Sequence, residues 1–318
     1  MARLTFKDVG QGDSVILEWT DNDEQHIGIF DCNRKGKTNP VLEHIIAKGY
    51  HHIDFIILSH PHEDHYSGFT ELLEYCSAHG IKIGWFGNSS FNLNKQYWVQ
   101  FEPGHDATQE LEKMLQLISK LLNEGTLGDI APLLQGVTLE LSEHLTLKVL
   151  SPGHQEMQQY QEKVDSDAGA NKKEASQAAN LLSTVFLITS GQNRALVTAD
   201  AVAVTFERIH RQALLPAVPL ALVQAPHHGS RKNYSATFWG GLLNAEGRRA
   251  VVSSGVNDKY RHPHLEVLTE LDGLGFAIHA TNIIYGMQEF LTLKQKTIVL
   301  DMASDLIDRD GGDKEFDL

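Results

Sequence analysis

The run His60-Pro61-His62-Glu63-Asp64-His65 places three imidazoles and two carboxylates within six consecutive residues. Imidazole nitrogens and carboxylate oxygens are ligands that divalent cations such as zinc and manganese take from proteins, and this many could fill most of two coordination shells. A packing role explains the run poorly, because buried histidine and aspartate lose hydration that apolar neighbours cannot restore. A metal centre needs further ligands from distant parts of the chain. Two places offer them. Asp200 closes the run Ala195-Leu196-Val197-Thr198-Ala199-Asp200, and His227 and His228 follow the apolar run 220–225 and precede Gly229 and Ser230. Side chains alternate along an extended chain, so one of the two adjacent histidines is expected to face a given metal. Hydrolysis is a chemistry such a centre would suit. Two cations about 3.5–4 Å apart bring a shared water toward a pKa of about 7 and hold the negative oxygens that develop as it attacks phosphorus or carbonyl carbon.

Elements with apolar patterning must carry these residues. Val15–Trp19 and His26–Phe30 flank a polar turn and read as a hairpin. Pro40–Lys48 has helical spacing and ends before Gly49, a C-cap residue. Ile53–Leu58 is a short, nearly continuous apolar run, the pattern of a strand buried on both faces. The histidine run follows it directly, and helical spacing resumes over Gly68–Cys76: strand, loaded loop, helix. Ala107–Asn123 is an amphipathic helix with Leu111, Met114, Leu115, Ile118, Leu121 and Leu122 on its stripe. Strands are expected at Leu145–Leu150, Leu181–Thr189, Arg194–Thr198, Leu220–Val223 and Ala250–Ser253, with a helix at Leu265–Leu271. The polar stretch 154–179 reads as an exposed insertion, part helix and part disordered, and 88–136 as a second insertion. One hydrolase domain over 1–300 is expected. It is expected to end in a solvated, flexible acidic tail over 301–318, where six Asp and one Glu face two basic residues. Such a strand-rich order suits mixed sheets packed face to face with helices outside.

The 318 residues carry a formal charge of −14, which disfavours a protein that coats nucleic acid by neutralising phosphates. It does not exclude a nuclease, because two divalent ions add about four positive charges at the one place that matters. Seventeen histidines against two cysteines favour imidazole and carboxylate sites over thiolate ones. Cys32 and Cys76 have no C-x-x-C spacing and are expected to be reduced and structural. No apolar stretch approaches the ~18 residues of a membrane span, and the first residues lack a secretory pattern, so a cytoplasmic protein is expected.

The histidine run resembles the H-x-H-x-D-H signature of the metallo-β-lactamase superfamily, with Asp31 and Asp200 at the places of its strand-end and metal-bridging aspartates. The segments Asp8-Val9-Gly10-Gln11-Gly12-Asp13-Ser14, Ala225-Pro226-His227-His228-Gly229-Ser230 and Arg261-His262-Pro263 are similar to the subfamily typified by the hydrolase domain of ComEC, the bacterial competence DNA-uptake channel. The resemblance runs from about residue 4 to residue 300. It implies an α/β fold, the αββα sandwich of two mixed sheets flanked by helices. It assigns His60 and His62 to one metal, Asp64, His65 and one of His227 or His228 to the second, and Asp200 to both. His228 is the favoured ligand and His227 its neighbour toward the substrate. Asp64, Asp13, His227 and His262 make up the catalytic set: Asp13 orients a ligand or substrate, and a protonated His262 or His227 supplies the leaving group's proton. His264 is a bystander. Many members place a third histidine on the first metal where this chain has Asn180. An amide oxygen is a harder, weaker ligand, so the first ion is expected to be held loosely, or to be Mn²⁺ as readily as Zn²⁺.

The resemblance implies a stand-alone, metal-dependent phosphodiesterase or nuclease on DNA or RNA, with no membrane part and room for a separately encoded protein partner. Basic clusters near the motifs, Arg34-Lys35-Gly36-Lys37, Arg231-Lys232 and Lys259-Tyr260-Arg261, could form a local phosphate funnel. The same centre could instead cleave a carbon ester, lactone or β-lactam, or a small phosphodiester. The complete ligand run opposes a non-catalytic binding module. An oxygen-reducing diiron relative has glutamate where His62 stands, which disfavours that chemistry.

Overall fold

A computed structural model describes residues 2–92, 105–164, 176–298 and 308–318. The first sheet contains β1 (Ala2–Phe6), β2 (Val15–Asp21), β3 (Glu24–Phe30), β4 (His52–Leu58), β5 (Lys82–Asn88) and β6 (Leu127–Pro132). The second contains β7 (Thr138–Ser142), β8 (Leu145–Ser151), β9 (Val185–Ser190), β10 (Asn193–Val197), β11 (Leu222–Gln224), β12 (Arg249–Val252) and β13 (Ala277–Ala280). With β14 (Lys314–Asp317) on the edge of the first sheet, the strand orders are 14-1-2-3-4-5-6 and 13-12-11-10-9-8-7. Both sheets are mixed. β1–β2–β3 pair antiparallel and β3–β4–β5–β6 parallel, while β7–β8–β9–β10 pair antiparallel and β10–β11–β12–β13 parallel.

Three apolar layers hold the sheets and helices together. Phe6, Leu17, Phe30 and Phe55 of the first sheet meet Leu147, Phe186, Ala195 and Val251 of the second. The outer face of the first sheet packs Ile29, Ile56 and Ile83 against α1 (Pro40–Lys48), α3 (Phe69–His79) and α4 (His105–Asn123). Between α1 and α3 lies the short α2 (Glu63–Tyr66), and α5 (His154–Lys163) closes this layer through Tyr160. On the other side, Val223 and Val252 pack against α6 (Ala203–Arg211), α7 (Ala236–Gly240), α8 (Leu265–Gly273) and α9 (Gly286–Ile298). This is the αββα sandwich. β4 shows why its sequence reads as continuously apolar: Phe55 and Ile57 point between the sheets, Ile56 and Leu58 toward the helices, and all are buried. Gly49 caps α1 in the left-handed region at φ 71°, as its spacing predicts.

Several expectations change. The run Leu181–Thr189 becomes strand only from Val185; Ala179–Leu182 form a 3₁₀ turn whose leucines are buried under the outer layer, so apolar character outlasts the strand. The stripe of α4 faces inward, with Leu111, Met114, Ile118 and Leu121 buried against the core. Of the polar stretch 154–179, α5 is packed down through Tyr160, and 165–175 lie outside the described residues. The acidic end is not a solvated tail over its last residues. Lys314–Asp317 pair antiparallel with β1, burying Phe316 and Leu318 while Asp317 meets Arg3 outside. Its composition hides a short alternating strand. Residues 301–307 lie outside the described ones. Cys32 and Cys76 are free and buried. No helix among the described residues is long and apolar enough to cross a membrane.

Candidate metal centre

The histidine run leaves the end of β4 and enters α2, and it is held there by the turn before β2. Gly12, at φ +118°, lies so close that a Cβ would sit 2.1 Å from the Asp64 carbonyl oxygen; only glycine permits this approach. The neighbouring Asp13 N–H donates to that same oxygen at 3.1 Å. Asp31 braces the loop from the end of β3. Its carboxylate accepts from the Ser59 N–H and hydroxyl, each at 2.7 Å, and lies 2.7 Å from His65 Nδ1.

Two ligand clusters result. His65 Nε2 and His228 Nε2 each lie 3.5 Å from Asp200 Oδ1, and Asp64 Oδ2 lies 3.5 Å from His228 Nε2. Ligands at ordinary zinc bond lengths stand about 3.4 Å apart around a tetrahedral ion. His65 Nε2, His228 Nε2 and Asp200 Oδ1 are buried and have no hydrogen-bond partner among the described residues, so a cation fits where these atoms converge. Beside them, His60 Nε2 and His62 Nδ1 are 3.0 Å apart, with Asp200 Oδ2 at 3.9 Å from His60. His62 Nε2 donates to the Ser176 carbonyl at 2.8 Å, which leaves Nδ1 with its lone pair aimed at His60. Without an ion His60 Nε2–H can donate to that lone pair; deprotonated at Nε2, His60 offers a second nitrogen to a cation beside it. The structure thus brings together His60, His62 and Asp200, beside them Asp64, His65 and His228, and, sharing members with both, Asp13, His65 and Asp200.

His227 and His228 depart from the expected alternation. Both stand in the left-handed region, at φ 47° and 57°, and so both imidazoles turn toward Asp200. His228 Nε2 faces Oδ1 and His227 Nε2 faces Oδ2, each at 3.5 Å. Asp31 and Ala199 share this strained conformation, which costs about 1–2 kcal/mol at each residue.

Burial holds His60, His62 and His227 below the usual histidine range. It opposes charge on His65 and His228 too, but there the carboxylates win: Asp31 and Asp200 hold His65 well above that range, and Asp200 with Asp64 lifts His228 to about 9. Burial pushes the Asp13 carboxyl up to about 6, although His228 and His65 pull it down. Burial, then His227 and His228, push His262 down to about 3. Held neutral, His262 and His227 can each donate a hydrogen bond.

The second line of support was invisible in the motifs. Ser59, the Ser253 carbonyl (2.9 Å from His228 Nδ1), the Ser176 carbonyl and Gln224 orient the ligands. Gln224 accepts from the Thr198 and Ala199 N–H groups and donates to Asp13 Oδ2, tying the Asp200 turn to the first loop. Ser59 could have been suspected from its place beside His60; the carbonyls left no sequence signal.

The clusters open into a cleft of about 910 Å³. Its wall includes His262, Arg231, Lys232, Lys259 and Tyr260, and also His264, placed as a bystander by sequence. Arg34 and Lys35 are instead paired with Glu110 and Asp8, away from the cleft wall.

No family model matches the chain, and neither does any curated protein. Solved structures to which it is similar include the metallo-β-lactamase fold protein YhfI from Bacillus subtilis, at 13% identity over 88% of this chain and 96% of that one, TM-score 0.48. Zinc-bound PqqB from Methylobacterium extorquens matches at 11% identity over 88% and 98%, TM-score 0.48. Tm1679, a metal-dependent hydrolase of the β-lactamase superfamily, matches at 12% over 100% and 99%, TM-score 0.47. Likeness at this distance carries no argument about what this chain binds or does.

Proposed function

We propose that this chain is a two-metal hydrolase of the metallo-β-lactamase superfamily, ComEC-like, that cleaves phosphodiesters, with DNA or RNA as the substrate class. The observation that carries the reading is the convergence of His65 Nε2, His228 Nε2 and Asp200 Oδ1, buried and unsatisfied, beside the His60–His62 pair. His60, His62 and Asp200 would hold one ion; Asp64, His65, His228 and Asp200 would hold the other. Bound divalent ions supply Lewis acidity and lower the pKa of water.

The remaining residues bind and orient. Lys232 and Lys259 bring positive charge to the cleft of an otherwise acidic protein, with Arg231 beside them paired to Glu266, which favours a phosphate-bearing substrate. Neutral His262, beside His227 with ring centroids 5.4 Å apart, is placed to donate a hydrogen bond to a substrate oxygen. Asp13 stays with Gln224 and positions the loop rather than meeting substrate. The described residues lining the cleft carry polar, charged or aromatic side chains, which suits a charged substrate better than an apolar acyl group.

Protein loaded with Mn²⁺ or Zn²⁺ should cleave linear or circular DNA, RNA or bis(p-nitrophenyl) phosphate, and Asp64→Ala should abolish that turnover. Turnover confined to a lactone or nitrocefin would replace this reading.

A further inference from the structure

We infer that His227, steered by Asn180, is the third protein nitrogen on the first metal and takes the place of the histidine missing at position 180. The inference rests on the two-metal reading above. The ordinary alternative, a pocket histidine that only meets substrate, would not require His227 to share the left-handed strain of its neighbour. That strain is what swings its ring inward, to 3.5 Å from Asp200 Oδ2, the oxygen that also faces His60. The two histidines thereby divide the bridging carboxylate: His228 lies on the oxygen of the second cluster and His227 on that of the first.

Asn180 explains the orientation. Its amide nitrogen lies 3.0 Å from His227 Nδ1, while its Oδ1 is buried without a hydrogen-bond partner among the described residues. Turning the amide over puts Oδ1 against His227 Nδ1 and moves Nδ2 to the buried position that Oδ1 held. Oδ1 then accepts from Nδ1–H, and His227 presents the Nε2 lone pair toward Asp200 Oδ2, beside the group of His60, His62 and Asp200. A ring nitrogen anchored by an oxygen acceptor, with the other on the metal, is the usual arrangement for ligating histidine. Asn180 is therefore a positioning residue, not a ligand. The 3₁₀ turn at Ala179–Leu182 supplies the amide, and the turn at Pro226–Gly229 supplies the imidazole.

The test is metal titration of the full chain by calorimetry with Mn²⁺ and Zn²⁺, with X-ray absorption to count imidazoles on bound zinc. Thermal melts of the metal-free variants establish that they fold. His227→Ala should weaken the first-cluster ion by well over tenfold, leave the other ion's affinity unchanged, and remove one imidazole from the count. Asn180→Leu should weaken the same ion about tenfold, and Asn180→Asp, which keeps the acceptor, should restore binding. A folded His227→Ala protein that binds both ions as before, with an unchanged count, overturns the inference and leaves the two-metal reading intact. Weakened binding in Asn180→Asp also overturns it, because the proton then belongs on Nε2. Wild-type protein that takes up no metal removes the underlying reading itself.

Discussion

The two halves of the candidate metal centre are built differently. In the half around Asp64, His65 and His228, the histidines and Asp200 are buried, and each imidazole is anchored from behind: His65 by Asp31, His228 by the Ser253 carbonyl. In the half around His60 and His62, His60 is buried and its Nδ1 meets the Ser59 hydroxyl at 3.1 Å, but the rear of His62 rests on a carbonyl of the segment at 176, and His227 is partly exposed to the cleft. Anchored ligands lose little freedom when an ion arrives, so the first-named half should hold its ion tightly. The other half can adjust, which suits the side of the centre that opens to substrate. One carboxylate, Asp200, joins a rigid site to an adaptable one.

The largest effect should come from breaking that joint. Asp200→Ala should lower turnover of bis(p-nitrophenyl) phosphate by at least about a thousandfold and reduce bound metal in elemental analysis. Retention of both ions would show that the halves do not share Asp200.

Next, pH should separate the halves. A cation takes only a neutral imidazole, and metal-free His228 keeps its proton to about pH 9, whereas His60 and His62 sit below the usual range. From pH 7 to 9 the tight site should therefore gain about tenfold in affinity per pH unit for each proton released, while the other stays flat. Calorimetry with Mn²⁺ at pH 7, 8 and 9 checks this, and equal slopes would erase the distinction.

Removing the brace of the tight half is a finer probe. Asp31→Asn should weaken that ion about 10- to 100-fold and spare the other, as read from competition with a chromophoric chelator. An equal loss at both sites would mean Asp31 shapes the whole loop.

The smallest effect concerns the cleft outside both halves. Lys232→Ala or Lys259→Ala should raise KM for DNA severalfold with little change in kcat, and reduce the salt slope of binding by about one. No change in that slope would remove these lysines from the substrate path.

The types and spacing of His60, His62, Asp64 and His65 were enough to predict a metal centre, because so many ligating groups in one loop have no packing explanation. Likewise, continuous burial of β4 and the cap at Gly49 followed from periodicity and backbone preference, which act over a few residues. The sandwich was legible through the resemblance of the motifs. What only the tertiary structure decided depends on residues far apart in the chain. Alternation could not show that both His227 and His228 turn inward, because that depends on two left-handed backbones. Composition could not show that Phe316 completes a sheet begun at Ala2, since pairing is a contact between chain ends. Nor could any motif name the carbonyls of Ser176 and Ser253 as ligand anchors: every residue has a carbonyl, and only folding determines where it points.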